Sequence, residues 1–391
     1  MMEPELQVET GFDFNPTEGM KMVRDVAHDF AEREIKPHVM KYDESQEFPL
    51  EIINRLGELG FMGVTFPEKY GGANFSYLEF VTIIEEISKY DPSIGLSLSA
   101  HNGLCTNHIY TFGSEEQRER FLLDLCSGKK IGAWALTESS SGSDAGGMRT
   151  TALRDGDFYV LNGSKTFTTH GSVAGTIVVL ALTDRSKGKS GISAFILDRQ
   201  MKGITVGKKE NKLGMRASDT ATLIFENVPV PKENLIGEEG AGFKQALHVL
   251  DGGRVGIAAL SVGIAQACLD HSLHYAKSRQ QFGKPIAEFQ AIQWKLADMA
   301  TEVEAARLLT WRAAWEKQQG RDVNLVAAQA KYFASEIAVK AANEAVQIYG
   351  GYGFIKEYPV EKLYRDVKLM TIGEGTSEVQ KMVIARNILQ M

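Results

Sequence analysis

The sequence predicts an α+β fold in three parts: a helical unit over residues 14–130, an antiparallel β unit over 131–242 and a helical bundle over 243–391. Three changes of texture predict it. Apolar residues recur at helical spacing through the first third. Short apolar runs separated by Gly, Asp and Lys-rich turns fill the middle, and long helical periodicity returns after Gly242.

The first helix is predicted from Met20 to Ile35, where Met22, Val23, Val26, Phe30 and Ile35 recur with charges between them. Helices follow over Leu50–Leu59, Leu78–Ser88 and Glu115–Leu125, with Gly71, Gly72, Pro92 and Gly113 as punctuation. In the middle, IGAWALT, DFYVLN, TIVVLALT, GISAFIL and ATLIFENVPVP have the length and spacing of strands in a small antiparallel barrel or sandwich. The clearest late helix is LADMATEVEAARLLTWRAAWEK (296–317). Several late helices carry apolar residues on more than one face, which predicts a bundle that also packs against partner subunits.

At 391 residues the chain is long enough for a large core without staples, and 43% hydrophobic with 24% charged residues is ordinary globular composition. Cys105, Cys126 and Cys268 form no CxxC pair and read as buried thiols of a reducing compartment. A net charge of -7 with scattered Lys and Arg argues against a nucleic-acid surface. The longest apolar run, Thr176–Leu182, is far short of the ~20 residues of a membrane helix, so no membrane association is expected. The N-terminal MMEPELQVETGFDFN is acidic and lacks a leader pattern. A bacterial cytoplasmic protein is the simplest reading, and a matured mitochondrial matrix form would read the same. His101, His108 and His170 fall in no ligand spacing, so no metal site is expected.

The chemistry concentrates in YRDVKLMTIGEGTSEVQKMVIARNIL, where Glu374 stands between Gly373 and Gly375. Glycines on both sides let a flat ligand and backbone amides approach the carboxylate. Ser377 and Gln380 have capping-box spacing before an amphipathic helix carrying Val379, Met382, Val383, Ala385 and Ile388. Taken alone, Glu374 also reads as an acid placed to favour a helix dipole. Further motifs stand in order: TESSSGSDAGGMRTTA (137–152), NGSKTFTTHG (162–171), KLGMRASDT (212–220), SRQQFGKPIAEFQAIQ (278–293) and QIYGGYGFIKEYPVEKLYRD (347–366). No GxGxxG fingerprint accompanies them.

With the GEGT segment, these motifs resemble the acyl-CoA dehydrogenase family from about residue 14 to the end. The resemblance implies an acyl-CoA dehydrogenase-like fold, FAD as cofactor, an acyl-CoA substrate, an electron-transfer flavoprotein as partner and a homotetramer. Glu374 would remove the thioester α-proton while flavin N5 takes the hydride. Leu136, Thr137, Gly142 and Ser143 match residues that meet the flavin and the substrate's pantetheine, and Thr169 matches a partner near N5. Phe167 stands where many relatives carry tryptophan, and His170 where many carry asparagine. Arg279, Gln281, Phe282, Gln347, Gly350 and Gly351 match the segments that hold pyrophosphate and adenosine from a neighbouring subunit. Thr376 and Glu378 complete the adenine-side or ribityl contacts.

Asp251 and Arg254 match contacts to CoA or nearby backbone, with a salt bridge within a helix as the alternative reading. Relatives that place the base elsewhere carry it at the position of Gly253. Gly373 stands where many short- and medium-chain relatives have tyrosine, which makes branched or alicyclic acyl groups candidates beside butyryl; Gly373 and Gly375 would border the substrate. Asp91 reads as a second carboxylate near the acyl pocket or as a helix end before Pro92. The alternatives are an acyl-CoA oxidase of the same fold, a DNA-binding homologue and a non-catalytic flavin-binding homologue; acidic pI and an intact Glu374 weigh against the last two.

Overall fold

The computed structural model describes residues 14–390; residues 1–13, most of the acidic N-terminal stretch that lacks a leader pattern, and residue 391 lie outside it. Among the described residues seven α-helices come first: α1 Glu18–Phe30, α2 Val39–Ser45, α3 Leu50–Glu58, α4 Tyr77–Tyr90, α5 Pro92–Ala100, α6 Asn107–Phe112 and α7 Glu115–Cys126. Seven strands follow: β1 Gly132–Ala135, β2 Thr151–Asp155, β3 Phe158–Thr169, β4 Thr176–Leu182, β5 Ile192–Asp198, β6 Ile204–Lys209 and β7 Thr220–Pro231. The last part holds α8 Gly242–Ser278, a hairpin of β8 Gln280–Gln281 and β9 Lys284–Pro285, then α9 Gln290–Gln318, α10 Asn324–Tyr349, α11 Pro359–Asp366 and α12 Ser377–Leu389.

Local chemistry sets the helix starts. Ser76 with Glu79, and Ser114 with Gln117, form complete capping boxes at α4 and α7, satisfying amide donors that each helix would otherwise leave open. Asp91 ends α4 and caps α5, accepting from Ser93 N at 2.9 Å, with Pro92 in the first turn where its missing N–H costs nothing. Between α5 and α6 the chain winds as a π-helix over His101–Thr106, with Leu104 among its buried residues.

The sheet is mostly antiparallel, as the strand spacing predicts, but β4 has two parallel neighbours: β1, from the Gly132/Thr176 pair to Ala135/Val179, and β2, at Thr151/Leu182. β4 explains its continuous apolar run by being buried on both faces. Val178 and Leu180 pack with Ile109, Leu122 and Leu125 of the helical unit, whereas Ile177, Val179 and Ala181 pack with Leu223, Phe225 and Val228 across the sheet.

A separate core joins α1, α3, α4 and α5 to α8, α9, α10 and α11, so the first and last helical parts share one interior. Helix α8 is long and apolar enough to cross a membrane by length and composition, but 94% of its apolar window is buried in this core. Buried charge ties the same parts together. Lys362 Nζ donates to Asp91 Oδ1 at 3.0 Å and to Asp366 Oδ2 at 2.6 Å, and Asp366 Oδ1 accepts from Met215 N at 2.5 Å. Asp91 is therefore a helix end locked in an ion pair, the second of its two readings.

Candidate active site

The turn that carries Glu374 is tightly constrained. Glu374 has φ 52° and Gly375 φ 93°, both in the left-handed region, where a non-glycine residue costs ~1–3 kcal/mol unless its surroundings fix it. Two buried side chains do so. Lys331 Nζ on α10 donates to Gly375 O at 2.7 Å, and Gln380 Nε2 donates to Glu374 O at 3.2 Å and Gly375 O at 2.9 Å. The cap of α12 lies one residue earlier than its predicted position: Thr376 Oγ1 accepts from Val379 N at 3.3 Å, and Gln380 is left to reach back to the turn. Glu378 is exposed in the first turn of α12. Gly373 lies outside the left-handed region, and a methyl group there would meet Leu369 at an ordinary 3.5 Å, so the backbone does not require glycine.

Glu374 is half-buried, but its Oε2 is closed off from solvent and has no hydrogen-bond partner. It rests against Gly253 of α8, where an added methyl group would stand 2.0 Å from Oε2 and 3.0 Å from Leu104 Cδ2. Burial pushes the carboxyl up to about 7, against the opposing pull of Lys331 and Arg254. Arg254 is buried beside it and pairs with Asp251 through Nη1 to Oδ1 at 2.5 Å, the within-helix bridge; its Nε has no partner. Asn324 Nδ2 also donates to Asp251, at 2.9 Å. Ala100, Leu104 and Val249, with Leu250, Phe112 and Trp134 against them, form an apolar patch next to Gly253. The arrangement supplies one desolvated carboxylate beside an apolar wall, which suits proton abstraction from a weak carbon acid.

The loop from Leu136 to Thr150 is held by a buried ion pair absent from the sequence reading. Lys165 Nζ of β3 donates to Leu136 O at 2.9 Å and Glu138 Oε1 at 2.8 Å, and Glu138 accepts from Arg149 N at 2.6 Å and Thr150 N at 3.0 Å. Thr137 O accepts from Thr166 N at 2.8 Å. Gly142 and Ser143 lie exposed on this loop. Past Lys165 the β3/β7 register slips, and in that bulge Phe167 adopts φ 52° and turns outward, 65% exposed, while Thr169 stays half-buried. His170 points inward: its Nδ1 meets Gly132 O at 3.0 Å and its ring packs edge-on against Phe48.

A third group lines an open groove of about 490 Å³: Arg279, Gln281, Gly350 and Gly351, with Tyr275 and Tyr352 among the walls. Arg279 lies over the Tyr352 ring at 5.2 Å. Gly350, with φ 60° and ψ -134°, adopts a conformation open to glycine, and nothing lies within 4 Å of where a methyl group on Gly350 or Gly351 would stand. Gln347 is exposed one turn earlier on α10, and Phe282 stands 93% exposed at the β8–β9 tip. The groove contains none of the residues around Glu374. Helix α12 departs from the expected amphipathic packing, because Met382 and Ile388 are exposed and only Ser377 and Gln380 are buried. Val379, Val383 and Ala385 of the expected face are half-buried.

Family models match nearly the whole chain: the acyl-CoA dehydrogenase N-terminal domain over 17–129, the middle domain over 133–228 and the C-terminal domain over 240–389. The chain is 47% identical to the short-chain specific acyl-CoA dehydrogenase of Clostridium acetobutylicum, covering 97% of this chain and 100% of that protein. It superposes on butyryl-CoA dehydrogenase from Megasphaera elsdenii with a TM-score of 0.95 and 47% identity, covering 97% and 100% of the two chains. A chain in a solved structure of the electron transferring flavoprotein of Acidaminococcus fermentans gives 0.96 at 47% identity, with the same coverage.

Proposed function

The chain belongs to the acyl-CoA dehydrogenase family, whose members oxidise a CH–CH bond, and on that premise we propose that it uses Glu374 to convert a short-chain, branched or alicyclic acyl-CoA to its trans-2-enoyl-CoA. The observation that carries this reading is the Oε2 of Glu374, buried, unpartnered and held beside an apolar patch. A carboxyl raised to about 7 is a stronger base than an exposed glutamate and is still half ionised near neutrality. The backbone N–H of Glu374 is the candidate donor to the thioester oxygen.

Bound FAD supplies the hydride acceptor. The chain's own groups suit that cofactor: Arg279 offers charge to a pyrophosphate, Gly350 and Gly351 leave space for it, and Leu136, Thr137, Gly142, Ser143, Phe167 and Thr169 are candidates for the flavin side. Because the groove is open and Phe282, Phe354, Met382 and Ile388 are exposed, a second copy of the chain is the natural cover for the cofactor's far half, in keeping with a homotetramer. An electron-transfer flavoprotein as acceptor draws support from the relative in the Acidaminococcus structure. A panel of acyl-CoA esters scored anaerobically by flavin bleaching tests the reaction. No bleaching by any ester would overturn it.

Two further outcomes are expected. Arg279→Ala should lower the FAD-to-protein ratio after gel filtration several-fold, with the loss growing in high salt as the remaining contacts are screened; unchanged flavin content would remove Arg279 from the cofactor site. Gly373→Tyr should fold normally, since the backbone there accepts a side chain, and should turn preference toward straight-chain esters. A change in discrimination of ~1–3 kcal/mol fits the misfit of one or two carbons, and the ratio of kcat/KM for butyryl- and isobutyryl-CoA reports it. An unaltered ratio would sink the specificity claim.

A further inference from the structure

We propose that Lys331 is a positioning residue for Glu374: from inside α10 its ammonium fixes the left-handed turn through Gly375 O and places one positive charge behind the carboxylate. The inference rests on Glu374 being the base. Lys331 is 0% exposed, and among the described residues no carboxylate lies within ion-pair distance of its Nζ. Lysine is rarely buried without a carboxylate partner, because removing an ammonium from water is costly. Here its single hydrogen bond goes to the carbonyl that follows the base, at 2.7 Å. A methionine would fill the same space without the desolvation cost, so packing alone does not explain the charge. Gln380, also 0% exposed, holds the same turn through both its carbonyls.

The charge matters because burial by itself would leave Glu374 protonated at neutral pH. The groups facing this cluster are few. Lys331 and Arg254 oppose burial at Glu374; Asp251 pairs with Arg254; Glu336 on α10 and Glu378 on α12 act on Lys331. Glu336 is in turn bonded by Ser377 Oγ at 2.5 Å. Lys331 itself is lowered to about 8 by burial, with Glu374 pulling the other way.

The test uses FAD-loaded protein carrying Lys331→Met, Lys331→Arg, Gln380→Met or Glu374→Gln, and Lys331→Met combined with Glu374→Gln. Single-turnover flavin bleaching by butyryl-CoA is followed from pH 5.5 to 9. Lys331→Met is expected to lose ~10²-fold at pH 7 and to move the rising limb up by about one pH unit or more, so that part of the loss recovers at high pH. Lys331→Arg should hold the limb in place. A thermal readout needs no catalysis. Since Glu374 titrates higher folded than its ordinary 4.5, Glu374→Gln gains stability over its parent as pH climbs from 4.5 to about 7, and with Lys331→Met that climb should extend further. Lys331→Met with the parent's limb, rate and thermal profile would overturn the proposal. If Lys331→Met does not fold, Gln380→Met decides: a loss of ~10-fold with the limb unmoved supports the clamp, and the parent's rate rejects it. Glu374→Gln bleaching at the parent's rate would instead overturn the assignment of the base.

Discussion

Replacing Glu374 by Gln is expected to leave fold, FAD content and acyl-CoA binding intact while slowing single-turnover flavin reduction by ~10²–10⁴-fold, the usual worth of a positioned general base. The amide has nearly the same shape but cannot take the proton. The parent enzyme should show a rate that rises with pH and levels off above about 7, because burial lifts the Glu374 carboxyl and only its ionised form is a base. The variant should lack that limb. Rapid bleaching by Glu374→Gln would move the base elsewhere, and Asp91 is a poor successor because Lys362 already holds it at 3.0 Å in the core.

The largest stability effect is expected at Lys362. Lys362→Met leaves Asp91 and Asp366, 1% and 0% exposed, without their shared cation. Breaking a buried pair from one side costs ~3–5 kcal/mol, since the orphaned charges keep their desolvation penalty. Burial already holds the Asp366 carboxyl above its ordinary value despite Lys362. Without the lysine Asp366 should take up a proton more readily, so the loss is greatest at high pH and shrinks toward acid. Urea midpoints at pH 5 and pH 8 measure this. Equal midpoints for parent and variant at pH 8 would show that the network contributes nothing.

The parts of the fold that could be read from sequence were those with local causes. Helices α4 and α7 begin at serine caps with a Glu or Gln three residues on, and β4 is a continuous apolar run. Strands β2 and β6 escaped because they are short, largely exposed and polar, each paired with the strand that follows it, β3 and β7. The π-helix at His101–Thr106 leaves no periodic trace. In the site, the ordered motifs singled out Glu374, Arg254, Arg279 and Gly351, whereas Lys165, Lys331 and Lys362 did not stand out. A lysine in a helical or strand pattern ordinarily reads as solvated surface, and what buries these three is a partner far away in sequence: Glu138, Gly375 and Asp91. The left-handed residue at Phe167 has no neighbouring glycine to announce it, and the glycines beside Glu374 do not tell that Glu374 itself takes a positive φ.

The contact between Gly253 and Glu374 limits how this site can change through descent. A side chain at 253 would begin 2.0 Å from Oε2, so any carboxylate gained there must first displace the one already present. If Glu374 is the base, as proposed, losing it first leaves the site without that carboxylate. A lineage that moves its base from the turn before α12 to α8 thus meets an impaired intermediate in either order of substitution. Crossing between the two designs calls for relaxed selection, such as a duplicated copy of the gene, during which both positions can change.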